Sequence, residues 1–289
     1  MAGALARRLA ALVLAAGVWA APQAVPAAMA EPAAGPAAGT AAPPALRAAP
    51  AMPESDRGSA PLPRIWSVPS DAFRHLPLQR IHRLVRPELF DYFDLFLYVN
   101  KAARGASAQH MYIYERLPNG KFVLRHRWLT STGRELQERY FTTTPTGIYK
   151  LDADRFHEYW ESRAWDGVPM PWTMFVDFAY DSGRMSGIAI HGTNSLSRLG
   201  SRASGGCIRL AMKNARLLFN VIQSYFAGAV PEFAWDDLRG HTSRTGELRR
   251  DEDGDLVMEN GYRVLLIVDN VNGIPRHAGH AQGGPPRTP

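Results

Sequence analysis

LFLYVNKAARGASAQHMYIYERLPNGKFVL, residues 95–124, contains three short runs of aromatic and β-branched side chains at 95–99, 111–114 and 122–124. Such side chains suit a pleated, buried surface, and each run is predicted to be a strand. Leu117-Pro118-Asn119-Gly120 separates the second run from the third. Asn and Gly accept the positive φ angles of a tight turn, so these two strands should form a β-hairpin. Working outward, 147–151, 188–190 leading into His191, and 263–268 carry the same texture and predict further strands. One helix is expected over 213–225, where Leu217, Leu218, Val221, Ile222 and Tyr225 recur at helical spacing. The fold class is therefore mainly β (α+β), with one principal helix.

Around this body the composition changes. Arg7 and Arg8 precede an apolar run from 9 to 21, and Ala28-Met29-Ala30 supplies small residues before Glu31. This is the pattern of a secretory signal peptide over 1–30, and the run is shorter than the roughly 20 apolar residues of a spanning helix. The expected product is an exported protein of the periplasm or cell envelope, with no stable membrane span after cleavage. Residues 31–63 are mostly Ala, Pro and Gly, with too few large apolar side chains to offset the entropy of ordering, and read as a disordered tether. Residues 64–89 mix prolines with short apolar pieces, 78–85 making one or two helical turns, and should pack on the catalytic domain of 90–272. Residues 273–289 resemble the tether; His277 and His280 there lack a third ligand, and no metal or cofactor is expected. The charge blocks within 232–261, such as Arg249-Arg250-Asp251-Glu252-Asp253, predict an irregular surface insertion.

The formal net charge of +6 is modest, and the lysines and arginines are scattered singly or in pairs, so nucleic acid is not an expected partner. One cysteine occurs in the whole chain, which excludes an internal disulfide. Cys207 lies in Ser204-Gly205-Gly206-Cys207-Ile208-Arg209-Leu210, where two glycines expose backbone N–H groups that can approach a substrate oxyanion. A thiol is mostly protonated at neutral pH and needs a base. His191, in Ala189-Ile190-His191-Gly192-Thr193, is the natural supplier, because the polar segment up to Ser204 can return the chain beside its strand. Cys207 is the predicted nucleophile and His191 the predicted base.

These two motifs resemble the signature of L,D-transpeptidase (YkuD-type) catalytic domains. Ser131-Thr132-Gly133, Thr144-Pro145-Thr146-Gly147-Ile148-Tyr149 and Met170-Pro171-Trp172 are similar to supporting pieces of that family, and the likeness covers about 90–270. The resemblance implies a β-sandwich-like domain acting on peptidoglycan stem peptides, with roles in cell wall biogenesis and cell shape. Cys207 would attack after the third residue of a tetrapeptide stem and release the terminal D-alanine. A side-chain amine of a neighbouring stem would then resolve the thioester as a third-to-third cross-link. Water would give L,D-carboxypeptidase activity instead, and another amine would give protein anchoring. An inactive peptidoglycan-binding module is the alternative of another class. By the same resemblance the backbone at Gly206 and Cys207 holds the oxyanion, and Arg209 positions a carboxylate or the loop. Ser204, Gly205, Gly192 and Thr193 bind substrate or support the site. Many family members carry histidine where this chain has Gly205, so a second-histidine role is absent here.

Overall fold

A computed structural model describes residues 75–137, 142–180 and 184–272. The segments expected to be leader, tether and tail, with His277 and His280, lie outside the described residues. Ten strands organise the fold: β1 (Leu95–Asn100), β2 (His110–Arg116), β3 (Phe122–Ser131), β4 (Gly147–His157), β5 (Thr173–Asp177), β6 (Ala189–Thr193), β7 (Ile208–Ala211), β8 (Ala227–Pro231), β9 (Met258–Tyr262) and β10 (Val264–Asp269). Eight of them close into a barrel in the order β1-β10-β4-β5-β6-β7-β3-β2, which is the form the expected sandwich-like arrangement takes. Among the described residues two α-helices accompany them, α1 (His75–Leu84) and α2 (Met212–Tyr225).

The run LFLYV reads as uniformly apolar because β1 is buried on both faces. Leu95, Leu97 and Val99 join Met111, Ile113, Val264, Leu266 and Val268 in one cluster, together with Ala215, Leu218, Phe219 and Ile222 of α2. Phe96 and Tyr98 point the other way, into a cluster with Ile81 and Val85 beneath α1. Each fully buried aliphatic side chain contributes about 1.5–3 kcal/mol, so α1 is held mainly by its apolar face. The hairpin forms as expected: Leu117 and Gly120 close its turn through Leu117 N–H to Lys121 O (2.8 Å) and Gly120 N–H to Leu117 O (2.8 Å).

One polar contact fixes α1 as well. Arg80 donates to Asp269 on β10 from Nε (2.7 Å) and Nη2 (3.1 Å), and the Tyr98 hydroxyl donates to the same carboxylate at 2.8 Å. Removing a partner from a largely buried pair costs about 3 kcal/mol, whereas a half-exposed pair contributes under about 1. Asp269 is 10% exposed, but Asp94, paired with Arg263, is 37% exposed. Asp269→Asn should therefore shift the urea unfolding midpoint strongly and Asp94→Asn weakly; equal shifts would show that α1 is not pinned by Asp269.

The region 232–261 is less irregular than its charges suggest. Phe233 and Leu248 are buried with the α1-side cluster, and β9 pairs antiparallel with β8 from Ala227↔Tyr262 to Pro231↔Met258. Single apolar residues set among charges leave no periodic signal, yet they suffice to anchor this segment.

Candidate active site

β6 and β7 are parallel neighbours, with Ile190 opposite Ile208 and His191 opposite Arg209. Parallel strands require a long crossover, which the segment 194–207 provides without an α-helix. Both isoleucines are fully buried in the core. Alternation then turns His191, Arg209 and Cys207 to the opposite face of the sheet. Cys207 confirms this placement by packing, with Ala189, against Met170 and Phe175 on that face. Cys207, immediately before β7, and His191 on β6 are thus turned to the same face of the sheet.

His191 is buried, and its Nδ1 lies 2.9 Å from the Gly192 carbonyl. A carbonyl can only accept, so Nδ1 carries the hydrogen and Nε2 is left with its lone pair. Burial, reinforced by the positive charge of Arg209 and opposed by the Gly192 carbonyl, pushes the imidazole pKa down to about 4. Cys207 is half-buried, and its thiol donates to Gly187 O at 3.5 Å. Burial pushes the thiol pKa up, against the Ala189 N–H and Arg209, which favour thiolate. The resting pair is therefore neutral thiol and neutral imidazole at pH 7, with the proton acceptor in the free-base form.

The loop before Cys207 is fixed from three sides. Gly206 has φ +125°, a conformation that glycine alone adopts without strain. Its carbonyl accepts from Thr144 Oγ1 (2.6 Å), and Thr144 Oγ1 in turn accepts from Gly133 N–H (2.8 Å). Lys101, almost fully buried, donates to Thr144 O at 2.6 Å and to Glu135 at 2.9 Å. Ala203 and Ser204 both donate to Thr132 O at 2.9 Å. The upstream Ser-Thr-Gly and Thr-Pro-Thr-Gly motifs thus serve as the back wall of the cysteine loop.

Ser204 accepts from Gly206 N–H (3.1 Å) and donates to Cys207 O (2.5 Å), and its side chain is buried. Ser204 therefore braces the loop. The Gly206 amide, expected to face an oxyanion, donates to Ser204 Oγ in the resting loop. Gly192 packs on α2, where a Cβ would come within 2.9 Å of Met212 Sδ, and Thr193 Oγ1 accepts from Ser195 N–H at 3.1 Å. Both hold the scaffold of β6. Arg209 and Arg134 each reach the Ala203 carbonyl at 3.4 Å, and no carboxylate pairs with Arg209 among the described residues.

Sequence reasoning missed the hairpin spanning 158–172. Its ladder runs through Trp172 N–H to Glu158 O and Met170 N–H to Trp160 O, both 2.7 Å. Gly192 N–H donates to Pro171 O at 2.7 Å, joining the hairpin's base to the residue after His191. Its tip lays the Trp165 indole on Gly205. The three tryptophans at 160, 165 and 172, together with the prolines at 169 and 171, were the available signal.

The L,D-transpeptidase catalytic domain model (YkuD) matches residues 97–257, more than half of the chain, which therefore belongs to that family. Among solved structures the chain is similar to LdtMt1 in complex with imipenem (15% identity, 61% of this chain and 58% of that chain, TM-score 0.34). It is also similar to an L,D-transpeptidase from Mycobacterium smegmatis (13% identity, 61% and 58%, TM-score 0.34). A third is the helical cell shape determining protein of Campylobacter jejuni (17% identity, 61% and 48%, TM-score 0.33). The chain thus spans about half to three fifths of the length of these solved chains. No curated protein matches it. Among the described residues no helix is long and apolar enough to cross a membrane.

Proposed function

We propose that this chain is an exported, cysteine-dependent L,D-transpeptidase of peptidoglycan, acting through an acyl-enzyme at Cys207. The observation that carries the reading is the parallel register of β6 and β7, which turns the lone thiol and a free-base imidazole to one face. Cys207 Sγ attacks the carbonyl carbon of the peptide bond after the third stem residue while His191 Nε2 takes the thiol proton. The Cys207 N–H stabilises the oxyanion, since the Gly206 N–H is committed to Ser204. Collapse breaks the C–N bond, and the departing D-alanine amine takes the proton back from the imidazolium. An amine of a second stem then attacks the thioester, the C–S bond breaks, and the sulfur leaves with the proton relayed through His191. Arg209, on the same face and without a carboxylate partner among the described residues, receives a stem carboxylate.

The test is to incubate the purified chain lacking residues 1–30 with tetrapeptide muropeptides and read products by mass. Cross-linked dimers with loss of D-alanine are expected. Tripeptides alone would mean an L,D-carboxypeptidase, and unchanged substrate with no adduct at Cys207 would sink the acyl-enzyme reading in favour of a binding module.

A further inference from the structure

The hairpin 158–172 reaches both halves of the candidate site. Its base is bonded to Gly192 beside His191, and its tip meets Gly205, two residues before Cys207. The tip is built tightly: Arg163–Trp165 forms a 3-10 turn, Asp166 follows in the left-handed region (φ 53°, ψ 44°), and Gly167 N–H closes on Ser162 O at 3.0 Å. This turn presents Trp165 in a fixed direction.

A Cβ built on Gly205 would lie 2.6 Å from both Cε2 and Nε1 of Trp165 and 2.7 Å from Cζ2. Gly205 does not have a positive φ, so its backbone tolerates any side chain and only the indole forbids one. Trp165 belongs to none of the three apolar clusters of the described residues, and it is half-buried. The Arg134 guanidinium sits 5.5 Å from its ring centroid, and Arg134 shares the Ala203 carbonyl with Arg209. A large aromatic surface held beside a nucleophile loop, outside the core and flanked by cations, has the make-up of a ligand wall rather than of interior packing.

We infer that Trp165 is a specificity-determining residue of this site: its indole fills the side-chain space of position 205 and forms the wall on which the acyl-donor peptide lies, shielding the thioester from water. The inference rests on the acyl-enzyme reading above. With the wall in place, an amine that docks in the cleft captures the acyl group; without it, water competes, its oxygen forming the new C–O bond as the C–S bond breaks and its proton passing through His191 to the sulfur.

The experiment compares wild type, Trp165→Ala, Gly205→Ala and the double variant. The donor is a tetrapeptide muropeptide, and the readouts are donor KM, the tripeptide-to-dimer ratio and the adduct at Cys207. Trp165→Ala should raise donor KM by about tenfold and raise the tripeptide-to-dimer ratio, with the Cys207 adduct still formed. Gly205→Ala should displace the indole and reproduce both changes. In the Trp165→Ala background, Gly205→Ala should add nothing, because the clashing partner is gone. A Trp165→Ala variant that only melts earlier, with donor KM and product ratio of wild type, overturns the inference, as do additive single effects. Absence of any adduct in wild type overturns the acyl-enzyme reading and this inference with it, a result distinct from an adduct that ignores Trp165.

Discussion

Cys207→Ala should abolish turnover and remove the adduct while leaving the fold intact, with a loss of activity on the order of 10⁴-fold or more. The expectation follows from position. The thiol is half-buried on the site face and touches a small cluster of Met170, Phe175 and Ala189, apart from the main core that Ile208 and Leu210 enter. Truncating a partly exposed sulfur opens little cavity, so stability should change by no more than about 1 kcal/mol. The loop that carries residue 207 is held by Thr144, Ser204 and the φ of Gly206, none of which involves the sulfur. Intact-protein mass after incubation with donor, beside thermal unfolding of the same samples, separates the two quantities. Residual turnover within tenfold of wild type would move the chemistry to another group, and a large drop in melting temperature would mark the cysteine as structural.

How legible this was from sequence varies with the range of the interactions involved. Strands buried on both faces, such as β1, announce themselves as unbroken apolar runs, and the Asn119-Gly120 turn fixes its hairpin locally. α2 shows because Leu218, Val221 and Ile222 repeat at helical spacing against the core. β7 was not legible: Ile208-Arg209-Leu210-Ala211 is too short for its alternation to register and runs directly into α2. β5 was missed for a similar reason, since Thr173–Asp177 is only five residues long and carries no clear alternation. His191 was expected to close its strand but lies in the middle of β6, where pairing with Arg209 sets its direction. The catalytic candidates could be named because glycine, cysteine and histidine form a local pattern. The partners that hold them could not: Thr144 meets Gly206, and Trp165 meets Gly205, only through the barrel's closure. The bond from the Gly206 amide to Ser204 was equally hidden, because a loop's own serine can claim an N–H that two adjacent glycines leave bare.

His191→Gln should lower turnover by about 10²–10⁴-fold, the usual contribution of a positioned general base, without much change in the alkylation profile of Cys207. From sequence alone, loss of His191 is expected to move that profile to higher pH. A neutral imidazole alters this, since the thiol's raised pKa comes from burial and is tempered by the Ala189 N–H and Arg209. Alkylation by a neutral reagent should therefore climb only above the ordinary thiol range in both proteins. The acid limb of wild-type turnover should fall near pH 4 rather than 6.5, because Nε2 remains a free base above about 4. Stability provides a second, independent readout. With a folded pKa of about 4 against 6.5 in the unfolded chain, protons bind the unfolded state preferentially below pH 6.5. The contribution of neutral, buried His191 is complete above pH 6.5 and is lost as pH falls toward 4, a change of about 3 kcal/mol. Glutamine does not titrate, so the variant's stability should decline less steeply across that interval. A residual slope should persist from His126, whose pKa burial also pushes down to about 4. A variant with wild-type turnover would remove His191 from the chemistry. An acid limb near 6.5, with identical stability slopes in both proteins, would show an imidazole that is solvated in solution, and the buried, low-pKa base would then be ruled out.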